Sequence, residues 1–306
     1  MADPAGAAGR MRMGIDLGGT KIEGRVLGPS GEELARIRSL APQGDYRSTV
    51  AALTDIALSL EREAGGEATI GIGMPGSLSP LTGLVRNANS TWLNGRPLRQ
   101  DLEAALGRTV RMANDANCFA LSEAVDGSAA GARSVFGIIV GTGCGGGIVL
   151  DGRVLDGARG IGGEWGHNPL PWSEPDEHPG PTCWCGRKGC MEMWASGTGL
   201  SADYQRRTGE LVSGHEIVAR ARLGEEAAQT SLDRHASRLA RGIAHVVNLI
   251  DPEVIVLGGG LSKLPHLYEA LPRLAAPFVF SDVKNIDIRP PKWGDASGVR
   301  GAAWLW

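Results

Sequence analysis

The chain is poor in what would mark it for a membrane, a nucleic acid or export. No apolar run reaches the roughly 18 residues a helical span needs. No long basic stretch occurs, and the net charge is -3, so a nucleic-acid surface is not expected. The short QRRT cluster at 205–208 reads as a solvated helix face. The first residues, MADPAGAAGRMRM, lack the apolar core of a secretory signal. Residues 1–12 are expected to be a disordered leader, with Met1, Met11 or Met13 as the start. Aromatics other than tryptophan are few, four Phe and three Tyr. Cysteine is scarce and odd in number, five in 306 residues, which speaks against a disulfide framework. A reducing, cytoplasmic setting and metal ligation suit it better.

What the chain does have is glycine. Its 46 glycines and 17 prolines fall short of low complexity and mark turns and close backbone approaches. MGIDLGGTKIEGRVLG, from residue 13, reads as strand, tight turn, strand. Val50, Leu53, Ile56, Ala57 and Leu60 share one face of a helix over 47–63, closed by Gly65 and Gly66. ATIGIGMPGSLS at 68–79 is a strand running into a Pro-Gly turn, and 87–97 is a polar loop. RTVRMAND is a strand ending on Asn114 and Asp115, where a helix starts. VFGIIVGTGCGGGIVL at 135–150 repeats the first strand–turn–strand, so two similar halves around a cleft are expected. Leu239, Ile243, Val246, Val247 and Ile250 line a helix over 236–250, and PEVIVLGGGLS gives a buried strand and a glycine turn. Strands alternating with helices make the class α/β.

The second glycine turn formally matches G-x-G-x-x-G, but a strand follows it where the dinucleotide fingerprint requires a helix. Neither turn matches a P-loop. Two hairpins rich in backbone N–H groups remain, each with a threonine, Thr20 and Thr142, and successive N–H groups cradle phosphate. Asp16 and Lys21 beside the first favour phosphate over a plain hairpin. Asp16 inside an apolar strand needs a partner or a cation, such as Mg²⁺ carried by a nucleotide; capping of the hairpin is its other reading. Asp115 at a strand end suits a proton acceptor for a hydroxyl, with ordinary helix capping the alternative.

Residues 164–192, EWGHNPLPWSEPDEHPGPTCWCGRKGCME, hold three of the five cysteines and two of the six histidines. Cys183, Cys185 and Cys190 with His167 supply three sulfurs and a nitrogen, the set of a closed structural zinc site. The C-x-C spacing is tighter than the usual C-x2-C, so reduced thiols in a loop are the other reading, and His178 is a rival ligand. Cys118 and Cys144 are expected to be buried and unrelated.

In order, GIDLGGTK (14–21), GMPG (73–76), NDAN (114–117), GTGCGGG (141–147), EWGH (164–167), CWCGRKGCME (183–192) and VLGGGLS (256–262) resemble the motifs of ROK-family sugar kinases, over essentially the whole chain from Met13. NANSTWLNG (87–95) and the ending DASGVRGAAWLW resemble the bacterial fructokinase/mannokinase branch. The resemblance implies an actin-like ATPase, ribonuclease-H-like fold of two similar domains around a central cleft. The expected division is 13–124 and 125–296, with the zinc loop at 164–192 in the second domain and 297–306 packing back on the first. It implies transfer of the γ-phosphate of Mg-ATP to the 6-hydroxyl of a hexose, fructose first. N-acetylglucosamine or glucose is the alternative, and a non-catalytic sugar sensor a further one. By the same resemblance Asp115 is the general base. Gly76, Asn114, Asp115, Glu164, His167 and Glu192 contact sugar. Asp16 holds Mg²⁺, while Gly18, Gly19, Thr20, Lys21, Thr142 and Gly143 bind phosphate. Gly258, Gly259 and Gly260 lie beside the adenosine. His167, Cys183, Cys185 and Cys190 bind structural zinc, and a homodimer follows from the family.

Overall fold

The computed structural model describes residues 9–306; most of the expected leader lies outside the described residues. The chain begins with β1 (Arg12–Leu17), β2 (Lys21–Leu27) and β3 (Glu33–Leu40), an antiparallel meander with Asp16 opposite Glu23. Regular structure therefore begins one residue before Met13. Helix α1 (Tyr46–Ala64) follows. Asp45 caps it by accepting from the Ser48 N–H, and Gly65, left-handed at φ 80°, ends it. Leu53, Ile56, Ala57 and Leu60 form its buried face, each large side chain worth about 1.5–3 kcal/mol of burial.

Next come β4 (Thr69–Met74), the short pair β5 (Ser77–Leu78) and β6 (Val85–Arg86), α2 (Leu98–Leu106), β7 (Val110–Asn114) and α3 (Asp115–Val125). β4 and β7 run parallel to β1, giving the order β3-β2-β1-β4-β7. Then β8 (Ser134–Val140), β9 (Cys144–Leu150) and β10 (Arg153–Val154) precede the Cys/His loop. Five helices follow, α4 (Glu192–Ala195), α5 (Gly197–Thr208), α6 (Gly214–Arg222), α7 (Glu226–Ile250) and, after β11 (Val254–Gly258), α8 (His266–Ala275). β12 (Ile288–Arg289) and α9 (Ser297–Ala303) complete the chain. The second sheet has the order β10-β9-β8-β11-β12, with β11 parallel to β8 and β12 parallel to β11. Third, second, first, then two parallel strands is the order of both sheets, so the repeated hairpins do begin two copies of one topology.

The chain divides into two compact units, and neither is continuous. One runs up to Gly131 and includes Gly147–Gly162 and Lys292–Trp306; the other is Ala132–Gly146 with Gly163–Pro291. A cut at residue 124 is continuous where the compact units are not. The physical reason at the C-terminus is close packing. A Cβ on Gly14 would stand 1.9 Å from Val299 O, one on Gly71 1.8 Å from Ala302 O, and one on Gly301 1.6 Å from Cys118 O. Only glycine lets α9 lie this close to β1, β4 and α3. Glu123, fully buried, fastens the same region by accepting from Ser297 Oγ at 2.7 Å and the Lys292 N–H at 3.0 Å.

The second unit is organised on α7, 25 residues long. Arg238 and Arg241 are buried on it and meet Glu177 at 2.7 and 2.8 Å. Burial alone would raise Glu177, but hydrogen bonds from Arg241, the Glu174 N–H and Arg238 outweigh it and hold the carboxyl down to about 2. Gly214 is the first residue of α6, behind its cap Ser213. Among the described residues no helix is long and apolar enough to cross a membrane.

Candidate functional site

In the first unit the site is built on the start of α3. Asn114 is the N-cap, and its Oδ1 accepts from the Ala116 N–H at 2.9 Å; Asp115 Oδ1 accepts from the same N–H at 2.8 Å. The helix terminus favours a carboxylate there, and Asp115 is exposed. Asn114 Nδ2 donates to Gly76 O at 3.0 Å, so the Gly76 turn, left-handed at φ 73°, is tied to the same point. Gly76, Asn114 and Asp115, predicted separately, are thus brought together.

Asp16 is the penultimate residue of β1, beside the first glycine hairpin. Burial, then the like charge of Asp115, pushes its carboxyl up to about 6, with Lys21 pulling the other way. The hairpin is closed by the Gly18 N–H donating to Lys21 O at 3.0 Å, and Gly19 and Thr20 are exposed at its tip. Gly18, Gly19, Thr20 and Lys21 therefore form one turn beside the Asp16 carboxyl, its Gly19 and Thr20 carbonyls accepting from Gln43 Nε2 at 3.3 Å and the Ala41 N–H at 3.0 Å.

In the second unit the hairpin between β8 and β9 is closed by the Gly141 N–H donating to Gly143 O at 3.0 Å. Glu192, the first residue of α4, accepts from the Cys144 N–H at 3.1 Å through Oε2 and from Trp184 Nε1 at 2.7 Å through Oε1. A Cβ on Gly143 would lie 2.7 Å from that Oε2. Trp184 also packs edge-on against His167, ring centroids 4.8 Å apart. Glu192 and His167 are thus joined through one indole. Glu164 is exposed, three residues before His167.

His167, Cys183, Cys185 and Cys190 converge, with ligand atoms all within 4.8 Å of one another. Cys185 Sγ lies 3.6 Å from Cys190 Sγ, and Cys183 Sγ 3.6 Å from His167 Nδ1. A tetrahedral zinc with Zn–S near 2.3 Å has sulfurs about 3.8 Å apart, so the spacing suits such an ion. The Arg187 N–H, then the neighbouring thiols, pulls Cys185 down to about 6, whereas burial pushes Cys190 up to about 12 and raises Cys183. A cation would be needed to ionise the other two. His178 is exposed and outside the cluster, and Cys118 and Cys144 are buried and apart from it.

Beside the second hairpin is a cavity of about 520 Å³. Thr142 and Gly260 line it, as do Gly197, Thr198, Ser213, Gly214 and His215, which the sequence reading missed. Gly197 and Gly214 open α5 and α6, so two helix N-termini face the space, a setting for anions. Gly258 and Gly259 are not in its wall. Gly258 is buried at the end of β11, and a Cβ on Gly259 would meet Val140 O at 2.5 Å. The signal for the missed residues was the cap pattern, Ser196 before Gly197 and Ser213 before Gly214.

Residues 12–306 match the sequence profile of the ROK family. The chain is 42% identical over 299 residues to the N-acetyl-D-glucosamine kinase of Photobacterium profundum, covering 96% of this chain and 99% of that one. Among solved structures it resembles the ROK hexokinase of Thermus thermophilus, at 35% identity and TM-score 0.87 over 96% and 97% of the two chains. It also resembles a ROK family glucokinase from Streptomyces griseus in complex with glucose and AMPPNP, at 27% identity and TM-score 0.76 over 96% and 98%. The actin-like, ribonuclease-H-like fold expected from the motifs is the fold of this chain. The fructokinase/mannokinase branch is not supported in the same way, since the curated relative is an N-acetyl-D-glucosamine kinase. The two stretches that suggested it serve the fold. Within 87–95, Leu93 is buried, Asn94 clamps Ala88 with two 2.9 Å hydrogen bonds and Trp92 donates to Thr49. Within 295–306 lies α9, closely packed on the first sheet.

Proposed function

From the premise that this chain belongs to the ROK family and is one of its sugar kinases, we propose that it transfers the γ-phosphate of Mg-ATP to the 6-hydroxyl of N-acetylglucosamine. The observation that carries the chemistry is the exposed Asp115 carboxylate at the start of α3, tied through Asn114 to the Gly76 turn. Its oxygen takes the proton as the hydroxyl attacks phosphorus in line, and most of the acceleration comes from positioning and charge stabilisation. Asn114, Gly76, Glu164, His167 and Glu192 bind the sugar. Asp16, buried beside the like charge of Asp115, would hold the Mg²⁺ carried by ATP, which would offset that repulsion. The turns at Gly18, Gly19, Thr20, Lys21 and at Thr142, Gly143 carry the phosphates, and the cavity beside Gly260 takes the adenosine, with Gly258 and Gly259 shaping its approach.

His167, Cys183, Cys185 and Cys190 would leave a zinc ion no open position, so the metal would supply geometry and would not activate water. Through His167, Trp184 and Glu192 that geometry reaches the sugar-binding side chains. N-acetylglucosamine stands ahead of fructose on the 42% identity to a kinase of that name. A wider hexose range is the second reading, favoured by the likeness to the Thermus thermophilus hexokinase. A cytoplasmic homodimer completes the proposal and rests on family resemblance.

The test is a coupled assay of ADP release with Mg-ATP, followed by ³¹P NMR of the product. N-acetylglucosamine should be turned over, with phosphate on the 6-oxygen. Background ADP release with N-acetylglucosamine, glucose, mannose and fructose alike would contradict the kinase reading.

A further inference from the structure

A circuit of hydrogen bonds surrounds the start of α3 in the first unit. Asn114 Nδ2 donates to Gly76 O at 3.0 Å. The next residue, Ser77, accepts at Oγ from Arg86 Nε at 3.2 Å. The same guanidinium donates through Nη2 to the carbonyls of Arg159 and Gly160. The segment 155–162 is folded on itself, with the Gly162 N–H donating to Asp156 O at 2.8 Å and the Gly160 N–H to Gly157 O at 3.1 Å. Near the start of that segment Asp156 Oδ1 accepts from Asn117 Nδ2 at 3.3 Å. Asn117 is one turn of α3 after Asn114, so the circuit closes on the helix it left.

Two features of this circuit call for a ligand. Asp156 is exposed and carries no ion pair, its single amide donor being Asn117. Asn117 is 7% exposed, and its Oδ1 is buried with no hydrogen-bond partner. The segment with Asp156 holds three glycines, whose ordering costs about 1–2 kcal/mol per residue of backbone entropy. Arg86 offsets part of that cost by fixing two carbonyls of a loop whose apolar side chains, Leu155 and Ile161, are exposed. Burial also raises Asp156, as expected of a carboxylate short of donors. Asp16, Asp115 and Asp156 all act electrostatically on Cys118 in the first turn of α3, which places the three acids in one region.

We infer that Asp156 is a further sugar-binding residue, accepting a hydrogen bond from a hydroxyl of the bound hexose, and that Arg86 is the positioning residue that sets it there. This rests on the sugar-kinase reading above. A polyol is the fitting ligand because it brings several hydroxyl donors to the acceptor-only Asp156 carboxylate and adds no charge beside Asp16 and Asp115, which repel one another.

Steady-state kinetics on Asp156→Ala, Asp156→Asn, Arg86→Met and Arg86→Lys test it, using whichever hexose the wild-type enzyme phosphorylates fastest. Asp156→Ala should raise the sugar KM at least tenfold, with kcat and the KM values for ATP and Mg²⁺ within about twofold. Asp156→Asn, whose amide oxygen still accepts, should raise it less. Arg86→Met should raise the sugar KM in the same direction, Arg86→Lys should restore part of it, and Arg86→Met added to Asp156→Ala should add nothing. Melting temperatures of the Asn and Lys variants within a few degrees of wild type separate binding from folding. An unchanged sugar KM in Asp156→Ala, fully additive effects of the two sites, or a shift confined to the KM for Mg²⁺ would overturn the inference and leave the kinase reading standing. A wild-type chain that phosphorylates no hexose overturns both.

Discussion

The hairpin at residues 17–21 is flanked by charge, and the hairpin at 140–144 by hydrogen-bonded backbone. Asp16 and Lys21 stand on either side of the first, with the Asp16 carboxyl raised to about 6 by burial and by Asp115. Around the second, the Gly197 N–H donates to Gly141 O at 2.7 Å, Thr198 Oγ1 donates to Thr142 O at 2.8 Å, and Glu192 accepts from the Cys144 N–H. Two turns that begin the same topology have therefore been put to different uses. On the proposed function, the first unit holds the ionisable groups, Asp16 and Asp115, that take part in the chemistry. The second holds groups fixed by neighbours, by a Cys/His cluster and by a buried Arg/Glu network, which on the same proposal set the binding geometry.

The sharpest way to test that contrast is Asp115→Asn. It should lower kcat by about 10²–10⁴-fold while calorimetry finds sugar affinity within severalfold of wild type; loss of affinity and turnover together would make Asp115 a structural cap.

Acid should separate the units next. His235, buried on α7 with Nε2–H donating to Ala195 O at 2.7 Å, is held down to about 4, first by burial. The unfolded chain takes up that proton near pH 6.5 and the folded chain near 4, so the second unit loses stability as pH falls through this window, by up to about 3 kcal/mol. Asp16 has the opposite sign. Its folded pKa lies above the unfolded value, so protonation between about 6 and 3.8 favours the folded first unit. Hydrogen exchange at pH 5 against pH 7, corrected for intrinsic rates, should show α7 losing protection and β1 not; equal loss in both would erase the distinction.

Cys185→Ser should bring metal content from about one zinc per chain to near none. The sugar KM should rise by about 10–100-fold, with a smaller change in kcat; full zinc, or no zinc in an active wild type, would remove the brace from the account. The smallest effect is expected for Gly143→Ala, which pushes a methyl to 2.7 Å from Glu192 Oε2 and should raise KM by about tenfold or less. A fall in kcat alone would place the second hairpin with the first.

Much of this was legible in sequence because the signals were local. The helical spacing and the Gly65 stop gave α1 to within a residue at each end, and Asn114-Asp115 marked a strand-to-helix junction that is there. Cys183, Cys185, Cys190 and His167 do meet. What stayed hidden depends on distant contacts. Gly197 and Gly214 are ordinary helix starts until the fold lines a cavity with them. Arg238 and Arg241 look like a polar face of α7, yet Glu177, some sixty residues earlier, makes them core. Asp156 sits in a plain turn until Asn117 and Arg86 define it. The finer branch assignment rested on the resemblance of 87–95 and 295–306, where Leu93, Asn94 and α9 serve packing, and the likeness to an N-acetyl-D-glucosamine kinase favours the alternative sugar.

The central claim is a kinase whose first unit does the chemistry on an N-acetylated sugar. Equimolar N-acetylglucosamine and fructose, mixed with limiting Mg-ATP and wild-type enzyme, give the ratio of the two kcat/KM values directly as a ratio of products. The account predicts N-acetylglucosamine 6-phosphate in at least tenfold excess. Fructose phosphate in equal or greater amount, or neither product, would contradict it.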